Sequence, residues 1–414
     1  MIPELVSFVT RREGRKFRRL SPTVDDSFIS GDKLGGVAGI SLYVHRPVCR
    51  SLCPFCCFNR YLFREDLARR YFADLQKELD LYIGRGFDFS SIYFGGGTPT
   101  VLMDELAGFI GYLRARFNVS EISLETTPRE LTAENIGLLQ QAGINRLSVG
   151  VQSFEEPVLK TMGRVNGPAD EVKARLLAAE GRFDTLNVDF VFNFPGQTVA
   201  QFEADVAAFK ELGIDQATFY PLMASPHKQD ALERRFNRVD NSRERQFYDV
   251  ILRELYHGGY KASTAWCFSR GQCMIDEYII EYDDYIGIGA GSVSIVRGNF
   301  YVNSFSLDRY HDLTGAGRLP IIGWRRLSKK ENLRYYLLTK LFGMKLDTGE
   351  FHRRFGNGPG KLWVELAFLK TFGIVSGDGT LRVTDKGMYP VSVMMRDFFA
   401  ALNTLREYCI EQQI

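Results

Sequence analysis

Four cysteines, Cys49, Cys53, Cys56 and Cys57, stand within nine residues, while Cys267, Cys273 and Cys409 are scattered. Disulfides among the four would close only trivial loops, so this is no secreted scaffold. Thiols at this density in a reducing compartment read as a metal or iron–sulfur site. The run Cys49-Arg-Ser-Leu-Cys53-Pro-Phe-Cys56 sets three sulfurs on one loop. Structural zinc wants ligands in two separated pairs, and no second Cys-x2-Cys pair exists here to complete such a site. Cys57, adjacent to Cys56, cannot easily turn its sulfur toward the same ion. A [4Fe–4S] cluster held by three thiolates keeps its fourth iron open to an exchangeable ligand, and the thiol count favours it.

A loop of this kind needs a frame. From Gly39 onward, short β-branched or aromatic runs alternate with helical patterns. Strands are expected at Ile40–His45, Ser91–Phe94, Glu121–Glu125, Arg146–Val151, Leu186–Phe192 and Ala217–Leu222. Helices are expected between them: one carries Leu67, Tyr71, Leu75 and Leu79 on a single face, and others span Met103–Phe117, Glu134–Ala142 and Phe202–Leu212. Such alternation forces parallel strands joined by right-handed crossovers. Six units are fewer than the eight of a closed barrel. The expected fold is therefore α/β, a partial (β/α)6 barrel with chemistry at the carboxyl ends of its strands. An open doubly wound sheet is the alternative.

The chain has 414 residues, 45% of them hydrophobic and 25% charged, with a net charge of +2. That excludes wholesale disorder and gives no electrostatic footprint for nucleic acid. No apolar run approaches the ~20 residues of a membrane span, and the start Met-Ile-Pro-Glu lacks the features of a secretory signal. A cytoplasmic protein is expected. Three segments are read: a basic N-terminal arm over 1–35, a barrel with its extension over 36–325, and a smaller winged-helix-like α+β domain over 326–414. The arm is read as irregular, with Arg11, Arg12, Arg15, Lys16, Arg18 and Arg19 around Phe17. It is either a solvated tail or a patch that touches a membrane surface. Residues 225–330 read as a mixture of the polar helix Glu244–Leu255, glycine-rich turns and a short apolar run, Tyr285-Ile-Gly-Ile-Gly-Ala-Gly-Ser. Beyond them, helices Glu331–Leu341 and Lys361–Thr371 precede a two-stranded wing around Gly377-Asp-Gly379.

The cysteine spacing after a first strand resembles the signature of radical S-adenosylmethionine (SAM) enzymes. Tyr43-Val-His-Arg-Pro-Val-Cys49 is similar to the lead-in of the branch that includes oxygen-independent coproporphyrinogen III oxidase. The resemblance implies a [4Fe–4S] cluster on Cys49, Cys53 and Cys56, with SAM chelating the open iron and cleaved to a 5′-deoxyadenosyl radical. It implies SAM contacts from Tyr43 in that lead-in and from Gly96, Gly97 and Thr98 in the loop Gly95-Gly-Gly-Thr-Pro99. It also implies SAM contacts from Glu125, Gln152, Arg164 and Asp189. Phe55 either offers its backbone to the adenine or is core packing. A flavodoxin- or ferredoxin-type electron donor is implied as well. Cys57 departs from the oxidase pattern, where the extra cysteine stands one residue later.

Within that branch, the segment Gly259–Arg270 lacks the oxidase's Asp-His pair and the heme chaperones' His-Asn. Only five histidines are present, and His45 belongs to the lead-in, leaving His227, His257, His311 and His352. The glycine-rich run from Tyr285 to Ser294 resembles a segment closing a second SAM site, with a buried turn as the alternative. Two SAM molecules suit a class C methyltransferase acting on an sp2 ring carbon. The motif wording resembles most the menaquinone C8-methyltransferases, whose lipid-soluble quinone the basic arm would help the enzyme meet at a membrane. Coproporphyrinogen dehydrogenation, anaerobic heme degradation and non-catalytic heme or cluster carriage are the alternatives. The substrate is expected to be a conjugated ring, quinone or tetrapyrrole.

Overall fold

The computed structural model describes residues 2–22, 29, 39–223, 229–230, 233–234, 240–275 and 278–414, without the side chains of Phe17, Arg18, Glu281 and Pro359. His227, the side chain of Phe17 and most of the turn region expected after the basic arm thus lie outside the described residues.

One twelve-stranded sheet organises the molecule. In chain order its strands are β1 (Ile40–Arg46), β2 (Phe89–Gly96), β3 (Glu121–Thr126), β4 (Arg146–Gln152), β5 (Thr185–Phe192) and β6 (Gln216–Pro221). They are followed by β7 (Lys261–Ala262), β8 (Cys267–Ser269), β9 (Tyr285–Ile288), β10 (Val293–Val296), β11 (Asn299–Asn303) and β12 (Ile321–Arg326). Strands β1 to β6 pair in sequence order and in parallel. Each lies within about two residues of its expected position, as strong periodicity allows. Strand β1 is buried at every position, as befits a strand covered on both faces.

Covering helices include Glu65–Ile83, whose Tyr71, Phe72, Leu75 and Leu79 are buried, and Met103–Arg114, Ala133–Gln141 and Val199–Leu212. Val199–Leu212 begins with a capping box, the Thr198 hydroxyl accepting from the Gln201 amide, and ends at Gly213 in the left-handed region.

The sheet does not close. Beyond β6 it continues antiparallel through β8 and β7. Beyond β1 it continues through a seventh parallel strand, β9, and then antiparallel through β10, β11 and β12. The helix expected from Glu244 is present, beginning as Glu244–Ile251, but these strands correct the reading of glycine-rich turns: Tyr285-Ile-Gly-Ile is β9, with Gly287 beside Tyr43 in register. A Cβ on Gly287 would meet the Val293 carbonyl oxygen at 2.4 Å, so the glycines serve a tight strand return.

The first 35 residues are likewise not irregular throughout. Ile2–Gly14 is a helix, followed by a 3-10 turn over Arg15–Arg18. The helix packs on the C-terminal helix Asp385–Glu411 so closely that a Cβ on Gly14 would stand 2.5 Å from that of Ala401. The C-terminal unit holds helices Lys329–Phe342, Thr348–Phe355 and Trp363–Thr371 and a small sheet ordered 345–347, 380–383, 375–376. The wing is therefore three-stranded. The long last helix escaped the sequence reading because Gly387 and Pro390 interrupt its pattern; both lie in its first two turns.

Candidate active site: a cysteine loop at the carboxyl ends of the strands

Strand β1 delivers the chain into the cysteine loop, and a short parallel pair, Val48–Cys49 with Tyr61–Leu62, ties off the loop's base. The Phe63 amide donates to the Cys49 carbonyl at 2.8 Å. Inside the loop Arg60 acts as a clamp: its Nη1 donates to the Cys53 carbonyl at 2.8 Å and its Nη2 to the Cys56 carbonyl at 3.0 Å. A bidentate guanidinium holds two backbone oxygens in one plane, which fixes the turn carrying both thiols.

The glycine loop after β2 packs directly beneath. The Gly97 amide donates to the Arg46 carbonyl at 2.6 Å, and the Thr98 amide to the Val48 carbonyl at 2.9 Å. A Cβ on Gly97 would meet Arg46 O at 2.6 Å and Val48 O at 2.7 Å, and Gly96 has φ +107° with His45 against it. Backbone lies on backbone here, which only glycine permits.

His45 locks the other side. Its Nε2 faces the Asn59 carbonyl at 3.2 Å, which can only accept, so Nε2 carries the hydrogen and Nδ1 accepts from the Tyr43 hydroxyl at 3.0 Å. Burial pushes the imidazole pKa down to about 4, keeping it neutral. Asn59 in turn donates to the carbonyls of Ala290 and Phe305. The glycine-rich segment after β9 therefore buttresses the cysteine loop from behind. None of residues 285–305 lines the central cavity. Of the two alternatives, the structure shows the segment as a buried turn.

That cavity, of about 300 Å³, is lined by Cys49, Cys53 and Cys56 and equally by Tyr43, Phe55, Gly96, Gly97, Thr98, Glu125, Gln152, Arg164 and Asp189. The structure thus brings together every residue that the family resemblance implied. Glu125, on β3, accepts from the Tyr93 hydroxyl at 2.9 Å and from the Gly96 amide at 3.1 Å. Burial, and then the negative charge of Asp189, push its pKa up to about 7. Asp189, on β5, accepts from Ser148 and Asn187, both at 2.7 Å, and burial raises its pKa too. Gln152 has φ +75° at a register shift between Gly150 and Gln152 in β4. A bulge with left-handed backbone at a non-glycine residue is strained, and such strain collects where a side chain must be re-aimed. Arg164 follows a helix ended by Gly163. It donates to the Gly150 carbonyl and to Asn166 and places Nη1 3.6 Å from the Cys53 sulfur.

All seven cysteines are free. Among the described residues no three His, Cys, Asp or Glu side chains are placed to hold a single metal ion. The donor set fits: Cys49, Cys53 and Cys56, the three thiols of the spaced run, line one cavity, and burial, the largest influence, pushes the Cys49 pKa up to about 11. Cys57 lines the same cavity but directs its sulfur at the carbonyls of Phe55 and Met223. Phe55 meets Phe194 edge-on at 5.7 Å.

Sequence reasoning missed the rim and the roof. Arg50, Arg129 and Arg406 line the cavity, as do Trp266, Phe399 and Asn403. Phe399, Asn403 and Arg406 belong to the C-terminal helix, some 350 residues beyond the cysteines, and no local pattern signals that return. Asn403 fastens the roof by donating to the Met223 carbonyl at 2.6 Å, while Arg406 stacks over Phe58 at 4.8 Å.

Residues 43–209 match the profile of the Radical SAM superfamily. The chain is 27% identical over 334 residues to the heme chaperone HemW of Bacillus subtilis (strain 168), covering 78% of this chain and 87% of that one. It is 25% identical over 417 residues to the oxygen-independent coproporphyrinogen III oxidase of Bradyrhizobium diazoefficiens, covering 92% of each. Among solved structures, the coproporphyrinogen III oxidase HemN of Escherichia coli shares the fold, with a TM-score of 0.74 at 22% identity over 92% of this chain and 94% of that one. A [4Fe–4S] cluster and SAM are the cofactors of this superfamily. The expectation of a quinone-methylating branch draws no support from these relatives, which are a chaperone and oxidases.

Proposed function

Starting from a radical SAM domain over residues 43–209, we propose that the chain is an oxidoreductase that abstracts hydrogen from a carboxylate-bearing tetrapyrrole, in the manner of the coproporphyrinogen oxidases it is similar to. One observation carries this reading: arginines surround the cavity whose floor is the cysteine loop. Arg60 and Arg164 hold that loop, and Arg50 is tied to Glu130 at 2.8 Å. Arg129 is exposed, lines the cavity and has no ion pair among the described residues. Guanidinium groups recognise carboxylates in paired, planar fashion, and a porphyrinogen carries several. Trp266, Tyr220 and Phe399 supply the apolar wall a ring system requires.

When bound, the cluster and SAM supply one-electron cleavage of the sulfonium and the hydrogen-abstracting radical. The chain's own residues do the rest. Cys49, Cys53 and Cys56 would hold the iron, and the glycine loop would offer bare backbone to the methionine end. Glu125, once ionised, would face its ammonium. Phe399, Asn403 and Arg406 of the C-terminal helix would cover the substrate from above.

The heme chaperone relative supports a second reading, stoichiometric heme carriage. Against it, none of the four described histidines lines the cavity. The deciding experiment incubates anaerobically reconstituted protein with SAM, reductant and coproporphyrinogen III. The proposal expects 5′-deoxyadenosine together with loss of substrate carboxylate as carbon dioxide. It also expects Arg129→Met to raise KM about tenfold, as a lost charge-assisted bond should. Heme bound one to one without SAM cleavage, or label passing from SAM methyl to menaquinone, would replace it.

A further inference from the structure

The N-terminal helix is built inside out. Its inward face, Val6 and Gly14, rests on the C-terminal helix, while Leu5 (48% exposed), Phe8 (60%) and Val9 (45%) point to solvent. With Arg12 these stand at i, i+3, i+4 and i+7, a stripe that normally faces a core. Arg12 and Arg15 flank it, both exposed and neither with an ion pair among the described residues. A second apolar group lies alongside. Arg334 binds Glu13 at 3.0 Å and Glu365 at 2.6 Å, drawing the N-terminal helix beside Trp363–Thr371. That helix begins with Trp363, 69% exposed, and Val364, 55% exposed, next to the exposed Lys361.

We infer that this face docks on an anionic lipid surface, with Phe8, Leu5, Val9 and Trp363 entering the interface and Arg12, Arg15 and Lys361 meeting the headgroups. Charge complementarity selects that occupant. Aromatic and aliphatic side chains beside Arg12, Arg15 and Lys361, none of them ion-paired among the described residues, match the boundary of an anionic leaflet, where tryptophan sits at headgroup depth. A second copy of the chain would instead bring these cations against each other. No helix among the described residues is long and apolar enough to cross a membrane, so the contact is peripheral. It is independent of the chemistry proposed above, since none of these residues lines the cavity.

Flotation of the full chain with phosphatidylcholine vesicles, with and without phosphatidylglycerol, tests it. Binding is expected only with phosphatidylglycerol, with a blue shift of Trp363 emission that Trp363→Phe removes. The double change R12E/R15E should weaken partitioning at least about twenty-fivefold, given roughly a fivefold effect per cation lost, and F8E should abolish it. SAM cleavage should persist in all three variants, showing that they fold. Equal binding to both vesicle types, unchanged binding by R12E/R15E, or dimers in solution that F8E dissociates would each overturn the inference.

Discussion

Cys56 and Cys57 are neighbours in sequence with different surroundings. Cys56 belongs to the turn clamped by Arg60, whereas Cys57 directs its sulfur at the Met223 carbonyl 3.5 Å away. Serine at 49, 53 or 56 is therefore expected to abolish iron retention and the brown absorbance near ~400 nm of an iron–sulfur protein. Cys57→Ser should keep both, since a hydroxyl can make the same contact. Iron assay and anaerobic absorbance on the four variants check this. Glu125 makes a pH prediction. Its folded pKa of about 7 lies above the ordinary carboxylate value, so the fold holds the proton more tightly than the unfolded chain does. Its contribution to stability is highest below the unfolded pKa and falls as pH rises toward 7. Binding of a cationic ammonium changes in the opposite sense, because it needs the carboxylate. SAM affinity at pH 6 should be about tenfold below its plateau above pH 8, since one pH unit below the pKa leaves about a tenth ionised. Glu125→Gln should flatten that dependence, as calorimetry across the range would show.

At the level of elements, the contact between β1 and the glycine loop decides whether the thiols are presented at all. Gly97→Ala forces a methyl to within 2.6 Å of a carbonyl oxygen that cannot move without shifting Val48 and Cys49. A loss of about 1–3 kcal/mol in denaturant unfolding is expected, as for overpacking generally, together with reduced iron loading. Gly108→Ala, in open space on a helix, should show neither effect. The six parallel strands were legible because buried strands and their covering helices carry opposite periodicities over many residues. Strands β9 to β12 were not, because their glycines, needed where Gly287 meets the Val293 carbonyl, read as turn residues. The N-terminal helix was hidden for a related reason. Leu5, Phe8 and Val9 face outward and its inner side ends in Gly14, so its pattern does not announce which face is buried. The site residues on β1 to β5 were legible only through resemblance; a lone Glu125 or Gln152 carries no signal of its own.

At the scale of the whole molecule, the roof over the cavity is held by charge buried between distant segments. Arg396, on the C-terminal helix, donates from Nη1 to both oxygens of Glu244 at 2.7 Å, and Arg11 of the N-terminal helix reaches Asp397 at 3.2 Å. Glu244 begins the helix Glu244–Ile251 after β6 and is essentially inaccessible, so it relies on that guanidinium. Trp266 adds a bond from its indole nitrogen to Ser392 at 2.8 Å. These contacts lie two to three helical turns from Asn403 and Arg406, which close the cavity, so loosening one end frees the other. Removing one partner of a buried pair leaves an uncompensated charge, at a cost of about 3–5 kcal/mol, whereas removing both is far milder. Arg396→Met should accordingly lower the melting temperature and allow SAM cleavage without substrate turnover, because the roof no longer seats. The double variant E244Q/R396M should recover part of the stability and restore the coupling, Asp397, which Arg396 also meets at 3.2 Å, keeping Arg11 as its partner. If the single variant lost stability yet kept SAM cleavage coupled to turnover, the C-terminal helix would be a strut for the fold and no part of the catalytic enclosure.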